Sequence, residues 1–400
     1  MKQSKVSVRL ILILGAISAF APLSIDMYLP GFGAIGREFG ASAESVQWTL
    51  SAFFIGLAAG QFLYGPLADH FGRKPPLALG LALYVLASIG CGLAPNIGTL
   101  IAMRTLQAFG GSSGVVIAQA MVRDLFEPQV GARVLSRLWL VFGAAPIIAP
   151  SVGAWVVHIA SWRAVFWILA AIGVACLVAT TLLLDETRPR REGRPPLALR
   201  PVLRDYGYLL SERRFMGFAA PVALAHASVL AYVTAAPFVL IQLYGVTPTH
   251  FALLFALNAV ALVASAQWNV RLLRTHSAAT LLARSTLVPP IVGLALIALT
   301  ATQAGGVSAL MVALFVYMTM MSIIRPNATA CALADHPERA GTASSLIGCL
   351  QFLIGTLAGA FMGLIHDGTG KPMAIALTLL TAAGLVLHRW LTRSQLPSVA

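Results

Sequence analysis

Apolar runs of about twenty residues follow one another along almost the whole chain, with short polar joints between them, and few folds can absorb that pattern. A helix rising 1.5 Å per residue needs about 20 apolar residues to cross a ~30 Å hydrocarbon layer. Runs of about that length occupy residues 10–32, 45–67, 76–94, 98–120, 134–156, 164–184, 216–240, 250–270, 279–300, 306–330, 342–365 and 372–392. Twelve such spans would use roughly 240 positions, in keeping with an apolar share of 58% and a charged share of 10% over 400 residues. Soluble chains carry about 25% charged residues, so a string of water-soluble domains is excluded. Backbone groups in hydrocarbon must be satisfied within helices or closed barrels, and these runs have helix length. The expected class is an all-α membrane protein with twelve transmembrane helices. A secretory leader competes for the first run, because Lys2, Lys5 and Arg9 precede an apolar stretch ending in Ala19-Phe20-Ala21, a recognisable leader pattern. The run continues to Pro30, however, and no soluble domain follows it.

The formal net charge of +13 reports topology rather than nucleic-acid binding. Basic residues form short clusters between runs, not a stripe interleaved with aromatics, so no nucleic-acid partner is expected. Spanning chains keep Lys and Arg on the cytoplasmic side. With the N-terminus inside, that side receives Lys2, Lys5, Arg9, Arg73, Lys74, Arg123, Arg133, Arg137 and eight arginines between Arg188 and Arg214, whereas the outer loops hold Arg37, Arg163 and Lys371. The expectation is a multi-pass protein of a bacterial cytoplasmic membrane with both termini cytoplasmic, surrounded by lipid and monomeric. Cys91, Cys176, Cys331 and Cys349 lack paired spacing, so neither a disulfide framework nor a metal site is expected.

The longest polar stretch, 185–215, is rich in Pro and Arg and reads as a cytoplasmic linker. It divides the chain into a six-helix bundle over 1–184 and a second over 216–400. Two bundles flanking a central site are a common transporter layout.

Three motifs narrow the class. Gly65-Pro66-Leu67-Ala68-Asp69-His70-Phe71-Gly72-Arg73-Lys74 follows the second run, Arg104-Thr105-Leu106-Gln107-Ala108-Phe109-Gly110-Gly111 opens the fourth, and Ala145 to Ala154, including Pro146, Pro150 and Gly153, lies in the fifth. The first resembles the G-x-L-A-D-x-x-G-R-[KR] loop of the major facilitator superfamily. The second is similar to the R-x-x-Q-G motif of its proton-coupled members, with Ala108 in place of Gly. The third looks like the G-P-x-x-G-G antiporter motif, with Ala149 and Ala154 in place of glycines. With Ser24 to Pro30, Pro326-Asn327-Ala328-Thr329-Ala330 and Leu350 to Gly355, the likeness extends over most of the chain to the bicyclomycin-resistance (Bcr/CflA) group of drug:proton antiporters. The resemblance implies a twelve-helix major facilitator fold. It also implies a gating latch at Gly65, Asp69, Gly72 and Arg73 that holds the two halves together near the start of the eleventh helix. The second-half counterpart of that loop, Asn269-Val270-Arg271-Leu272-Leu273-Arg274, is degraded.

Inside the spans, Asp26 is the one acidic residue. A lone carboxylate there costs at least about 2.5 kcal/mol on the insertion scale, so it must face a cavity, take up a proton or pair. Asp26 falls about five residues below the outer end of the first run and Arg104 about six below that of the fourth, roughly 8 and 9 Å at 1.5 Å per residue. Equal depth makes them a candidate pair. Asp26 as proton carrier, loaded and released as Arg104 withdraws and approaches, is the coupling expectation, and a permanent packing pair is its rival. Arg325, near the end of the tenth run, reads as an interfacial side chain snorkelling outward. His226, mid-span, is either a proton relay or a hydrogen-bonded core histidine.

Gly56 and Gly60 on helix two and Gly355, Gly359 and Gly363 on helix eleven form small faces that permit close helix approach. In the family those two helices meet, so the faces are read either as sliding surfaces or as static packing. Tyr28, Phe53, Trp139, Phe142, His226, Tyr232, Tyr317 and Phe352 are candidate walls of a substrate cavity. The expected function is proton-coupled efflux of small amphiphilic drugs by alternating access, with protons as coupling ion and no other cofactor. An exporter of an endogenous metabolite or a uniporter on the same fold is the main alternative. An ATP-driven pump lacks its phosphate-binding loop, since Gly368-Thr369-Gly370-Lys371 is followed by Pro372, and an intramembrane enzyme lacks a metal-spaced or nucleophile motif.

Overall fold

The computed structural model describes residues 8–126, 128–187, 199–336, 340–365 and 368–392, and every regular element among them is helical. The first stretch holds α1 (Val8–Ser18), α2 (Phe20–Asp26), a 3-10 turn (Leu29–Gly31), α3 (Phe32–Phe39), α4 (Ala43–Phe71), α5 (Lys74–Gly92), α6 (Ile97–Leu125), α7 (Pro128–Ile159) and α8 (Trp162–Leu183). After these come α9 (Leu199–Ser211), α10 (Arg213–Pro237) with a π-helical extension (Phe238–Leu243), α11 (Pro248–Leu272), α12 (Ala278–Ser285), α13 (Val288–Thr302), α14 (Gly306–Ala334), α15 (Ala340–Leu364) and α16 (Lys371–Thr392).

Ten of the helical stretches are long and apolar enough to cross a bilayer, and the pair Leu10–Ser18 and Phe20–Phe39, bent by 41°, makes eleven. The fifth apolar run lies within α7, a continuous helix of 32 residues. Polar caps start several helices: Asn96 Oδ1 accepts from Thr99 N–H at 2.8 Å, and Ser42 Oγ accepts from Ser45 N–H at 3.3 Å. Each satisfies an end group with no intrahelical partner. Pro221 inside α10 removes the donor that would serve the Gly217 carbonyl. That carbonyl accepts instead from His388 Nδ1 at 2.9 Å, which ties α10 to α16.

The chain divides into two compact units, Met1–Ala198 with Pro248–Ala256 and Leu199–Thr247 with Leu257–Ala400. Within the first, α6 packs against α4 and α5, and α5 against α8. Within the second, α10 is central and packs against α14, α15 and α16. The segment 185–215 is more than a connector. It contains α9, which packs against α10 and α15 with Tyr206 and Leu209 buried, so its apolar face belongs to the second unit.

Candidate functional site

The first span is broken where its chemistry sits. From Phe20 the chain stays helical through Asp26, and Met27 and Tyr28 keep right-handed helical angles before the 3-10 turn. Residues 20, 24 and 28 are spaced by four and share a face. Phe20 stacks on Tyr84 with ring centroids 4.5 Å apart, Ser24 Oγ hydrogen-bonds the Tyr84 hydroxyl at 2.7 Å, and the Tyr28 hydroxyl bonds Thr49 Oγ1 at 2.8 Å. That face is turned toward α4 and α5.

Arg104 on α6 is fully buried and enclosed by aromatic rings. Its Cζ lies 4.1 Å from the centroid of Phe53, 4.6 Å from Tyr28 and 5.6 Å from Phe166. Desolvated cation–π contacts of this kind contribute about 2 kcal/mol. Arg104 Nη1 donates to Gln107 Oε1 at 2.6 Å, as the i,i+3 spacing of R-x-x-Q allows. Gln107 Nε2 donates to Ser88 Oγ at 2.8 Å, and Ser88 Oγ to the Tyr84 carbonyl at 2.7 Å. Arg104 Nε and Nη2 have no partner.

Asp26 is buried, 4% exposed, and has neither a hydrogen-bond nor an ion partner among the described residues. The pair inferred from equal depth is therefore absent here, and two facts explain it. The outer helical segment runs on to Phe39, so Asp26 lies thirteen residues from its end instead of five. In addition, two residues along a helix is a rotation of about 200°. With Ser24 and Tyr28 against α4 and α5, Asp26 is on the other flank. Next to Asp26 in the chain α7 approaches closely: a Cβ on Gly153 would collide with the Met27 carbonyl, C and Cα. The antiporter-motif glycine thus lets α7 lie against the backbone next to Asp26. Pro150 is buried. The side chains of Pro146, Trp139 and Phe142 lie outside the described residues, as do the surroundings of Gly363.

At the α4–α5 turn, Gly72 has φ +91° and ψ 176°, a conformation essentially reserved for glycine. The turn delivers Arg73, 5% exposed, to a cluster of carboxylates. Arg73 Nε donates to Asp124 Oδ2 at 2.7 Å, Nη2 to Asp124 Oδ1 at 3.2 Å and Nη1 to Asp69 Oδ1 at 2.8 Å. The backbone N–H groups of Arg73 and Lys74 donate to Glu186 Oε1 and Oε2 at 2.8 and 2.9 Å. Burial works against the Arg73 charge, but Asp124 and Asp69 outweigh it and hold the guanidinium above its ordinary range. Asp69 and Arg73 are thus joined to each other and, through Asp124 and Glu186, to the ends of α6 and α8. Gly65 is half-buried in α4.

The small faces of α4 and α15 serve contacts inside their own units. A Cβ on Gly56 or Gly60 would strike the carbonyls of Thr105 and Phe109 on α6. Ala108, where the resemblance leads one to expect glycine, is accommodated because Gly56 has no side chain, 2.9 Å from where a Cβ would be. Gly355 faces Leu230 on α10, and Gly359 is buried.

In the second unit, His226 on α10 meets Phe352 on α15 edge-on, with ring centroids 5.3 Å apart. Both ring nitrogens are buried without a partner, so His226 is not the hydrogen-bonded core histidine expected from sequence. Arg325 is not a snorkelling residue either. Helix α14 runs nine residues beyond it to Ala334, about 14 Å at 1.5 Å per residue, and Arg325 Nε is buried without a partner. Tyr232 is buried and accepts from Asn258 Nδ2 at 2.8 Å. Tyr317 is fully buried and its hydroxyl donates to the Leu377 carbonyl at 3.0 Å. That bond ties α14 to α16. Sequence reasoning missed Tyr84, Phe166, Asp124 and Glu186. The first two are aromatics in unremarkable apolar runs, and the carboxylates lie 51 and 113 residues from Arg73.

The sequence profile of the Major Facilitator Superfamily matches residues 14–360. The chain is 34% identical over 385 residues to an uncharacterized MFS-type transporter, YdgK, of Bacillus subtilis (strain 168), covering 96% of this chain and 95% of that one. It is 32% identical over 398 residues to a bicyclomycin resistance protein homolog of Haemophilus influenzae, covering 100% of both. Among solved structures, the xylose transporter XylE from E. coli matches with a TM-score of 0.74 at 11% identity, over 97% of each chain. At that identity the likeness bears on fold alone.

Proposed function

Because this chain belongs to the Major Facilitator Superfamily, a family of membrane transporters and not of enzymes, we propose that it exports small amphiphilic drug-like molecules in exchange for protons by alternating access. The observation that carries this reading is Asp26. It is the one buried acidic side chain among the described residues, on a broken span, with no partner to offset its charge. An ionised carboxylate so placed is costly and a protonated one is not, so Asp26 is suited to take up and give back a proton. Arg104, with two nitrogens unpartnered beneath its aromatic cover, is the guanidinium that would hold the ionised form when the first span shifts. Gly153 lets α7 follow Met27 closely during such a shift. The drug-resistance relative supports the choice of cargo class. In this reading the Arg73 end of the first unit is cytoplasmic, both chain termini lie on that side, and the membrane is a bacterial inner membrane.

The test is transport in proteoliposomes with an imposed pH gradient. Cargo should accumulate against its own gradient in the acidic compartment, as protons leave it in exchange, and collapse of the pH gradient should stop the accumulation. Accumulation indifferent to the gradient would leave a facilitated carrier and remove proton coupling.

A further inference from the structure

The second unit carries a positive charge that no described residue neutralises. Arg325 sits mid-helix on α14, where Pro326 interrupts the helical ladder, and Arg325 forms no ion pair or side-chain hydrogen bond with any described residue. As a residue it is half-buried, with Nε enclosed and without a hydrogen-bond partner. His226 lies on α10, which packs against α14, and keeps both ring nitrogens unpartnered. Phe352 presents its ring to the His226 ring at 5.3 Å. The described carboxylates of this unit are remote. Asp335 closes α14 ten residues past Arg325 and pairs with Arg214 at 2.8 Å. Glu212 caps α10 fourteen residues before His226, with its Oε2 2.9 Å from His336 Nε2. Asp205 lies on α9. Those helical separations are about 15 and 21 Å at 1.5 Å per residue.

We propose that Arg325, His226 and Phe352 form a subsite of the second unit that binds the carboxylate or other compact anionic group of an aromatic cargo. The guanidinium fork fits a planar anion in two parallel hydrogen bonds, the histidine adds a donor, and the phenylalanine ring gives the aromatic body a surface. An unneutralised guanidinium within a span is expensive, and an arriving anion removes that cost. This rests on reading the chain as a small-molecule transporter and sharpens the cargo from amphiphile to anionic amphiphile. Lipophilic cations become poor ligands.

Three probes sharing one ring decide it: 1-naphthaleneacetate, 1-naphthaleneethanol and (1-naphthylmethyl)trimethylammonium. They are titrated calorimetrically into the full-length protein in nanodiscs of phosphatidylcholine. The carboxylate should bind at least 10-fold tighter than the alcohol and tighter still than the ammonium, and Arg325→Gln should reduce the first ratio to near one. Equal binding of carboxylate and alcohol by the wild type, or an unchanged ratio in Arg325→Gln, overturns the subsite. Should Arg325→Gln not fold, His226→Phe reads the same place. A 3-fold or larger loss confined to the carboxylate probe is expected, and an unchanged carboxylate affinity overturns the proposal. Repeating the titration with phosphatidylglycerol in the disc separates cargo from lipid headgroup, because a cargo subsite keeps its ratio and loss of the ratio overturns the assignment to cargo. Head-group preference without substrate-linked proton movement would sink the antiport reading and leave this one standing. Proton-coupled export with no head-group preference would do the reverse.

Discussion

The two units fasten equivalent helix ends by different chemistry. In the first, Arg73 gathers Asp69 and Asp124 around one buried guanidinium while Glu186 takes the turn's two N–H groups. In the second, Asn269 stands where the degraded loop motif would have its Asp, and it accepts from Asn327 Nδ2 at 2.8 Å. Both amides are buried, at 2% and 1% exposed. A network of charges depends on its central cation, because removing it leaves the part-buried Asp124 carboxylate uncompensated. A neutral amide pair that loses Asn327 leaves one uncharged carbonyl oxygen of Asn269 unsatisfied, a smaller cost than an uncompensated charge. The glycines divide in the same way. Gly56 and Gly153 in the first unit stop against backbone, whereas Gly355 in the second stops against the Leu230 side chain, 2.6 Å from its Cδ1. At Gly56 and Gly153 the spacing is therefore fixed by backbone, and at Gly355 a side chain can yield.

This contrast can be broken by substitution, read as shifts in the SDS-unfolding equilibrium in mixed micelles. Gly153→Ala should have the largest effect, about 3 kcal/mol, since neither Met27 nor α7 can retreat without moving the first span. It should also slow transport more than its stability loss explains. Arg73→Gln should cost about 2–3 kcal/mol, moderated because Asp69 is largely open to solvent. Asn327→Ala should cost about 1–2 kcal/mol. A loss as great as that of Arg73→Gln would mean that the ionic and neutral ends are equally rigid. Gly355→Ala should cost less than about 1 kcal/mol, because a leucine rotamer can yield. A loss equal to that of Gly56→Ala would remove the difference in packing tolerance.

The features visible in the sequence were the local ones. Span lengths, the Gly72 turn, the i,i+3 bond of Arg104 to Gln107 and the close-packing glycines all follow from spacing along a single helix or turn. Spacing could not show what each surface meets. Gly56 and Gly355 announce a close approach, but the approaching partners, Thr105 and Leu230, come from other helices. Equal depth for Asp26 and Arg104 requires a straight first helix ending near residue 32. The break at Ala19 and the continuation to Phe39 invalidate that ruler, and helical phase then turns Asp26 away from Arg104. Tyr317 looked like any intramembrane aromatic until the Leu377 carbonyl claimed its hydroxyl.

The account turns on whether the Asp26 carboxyl exchanges a proton when cargo binds. Purified protein in weakly buffered detergent, mixed with cargo beside a pH-sensitive dye, reports this directly. Wild type should release protons in a saturable, cargo-dependent manner, while Asp26→Asn should bind cargo and release none. Proton release of equal size from Asp26→Asn would contradict the assignment and transfer the coupling to another group.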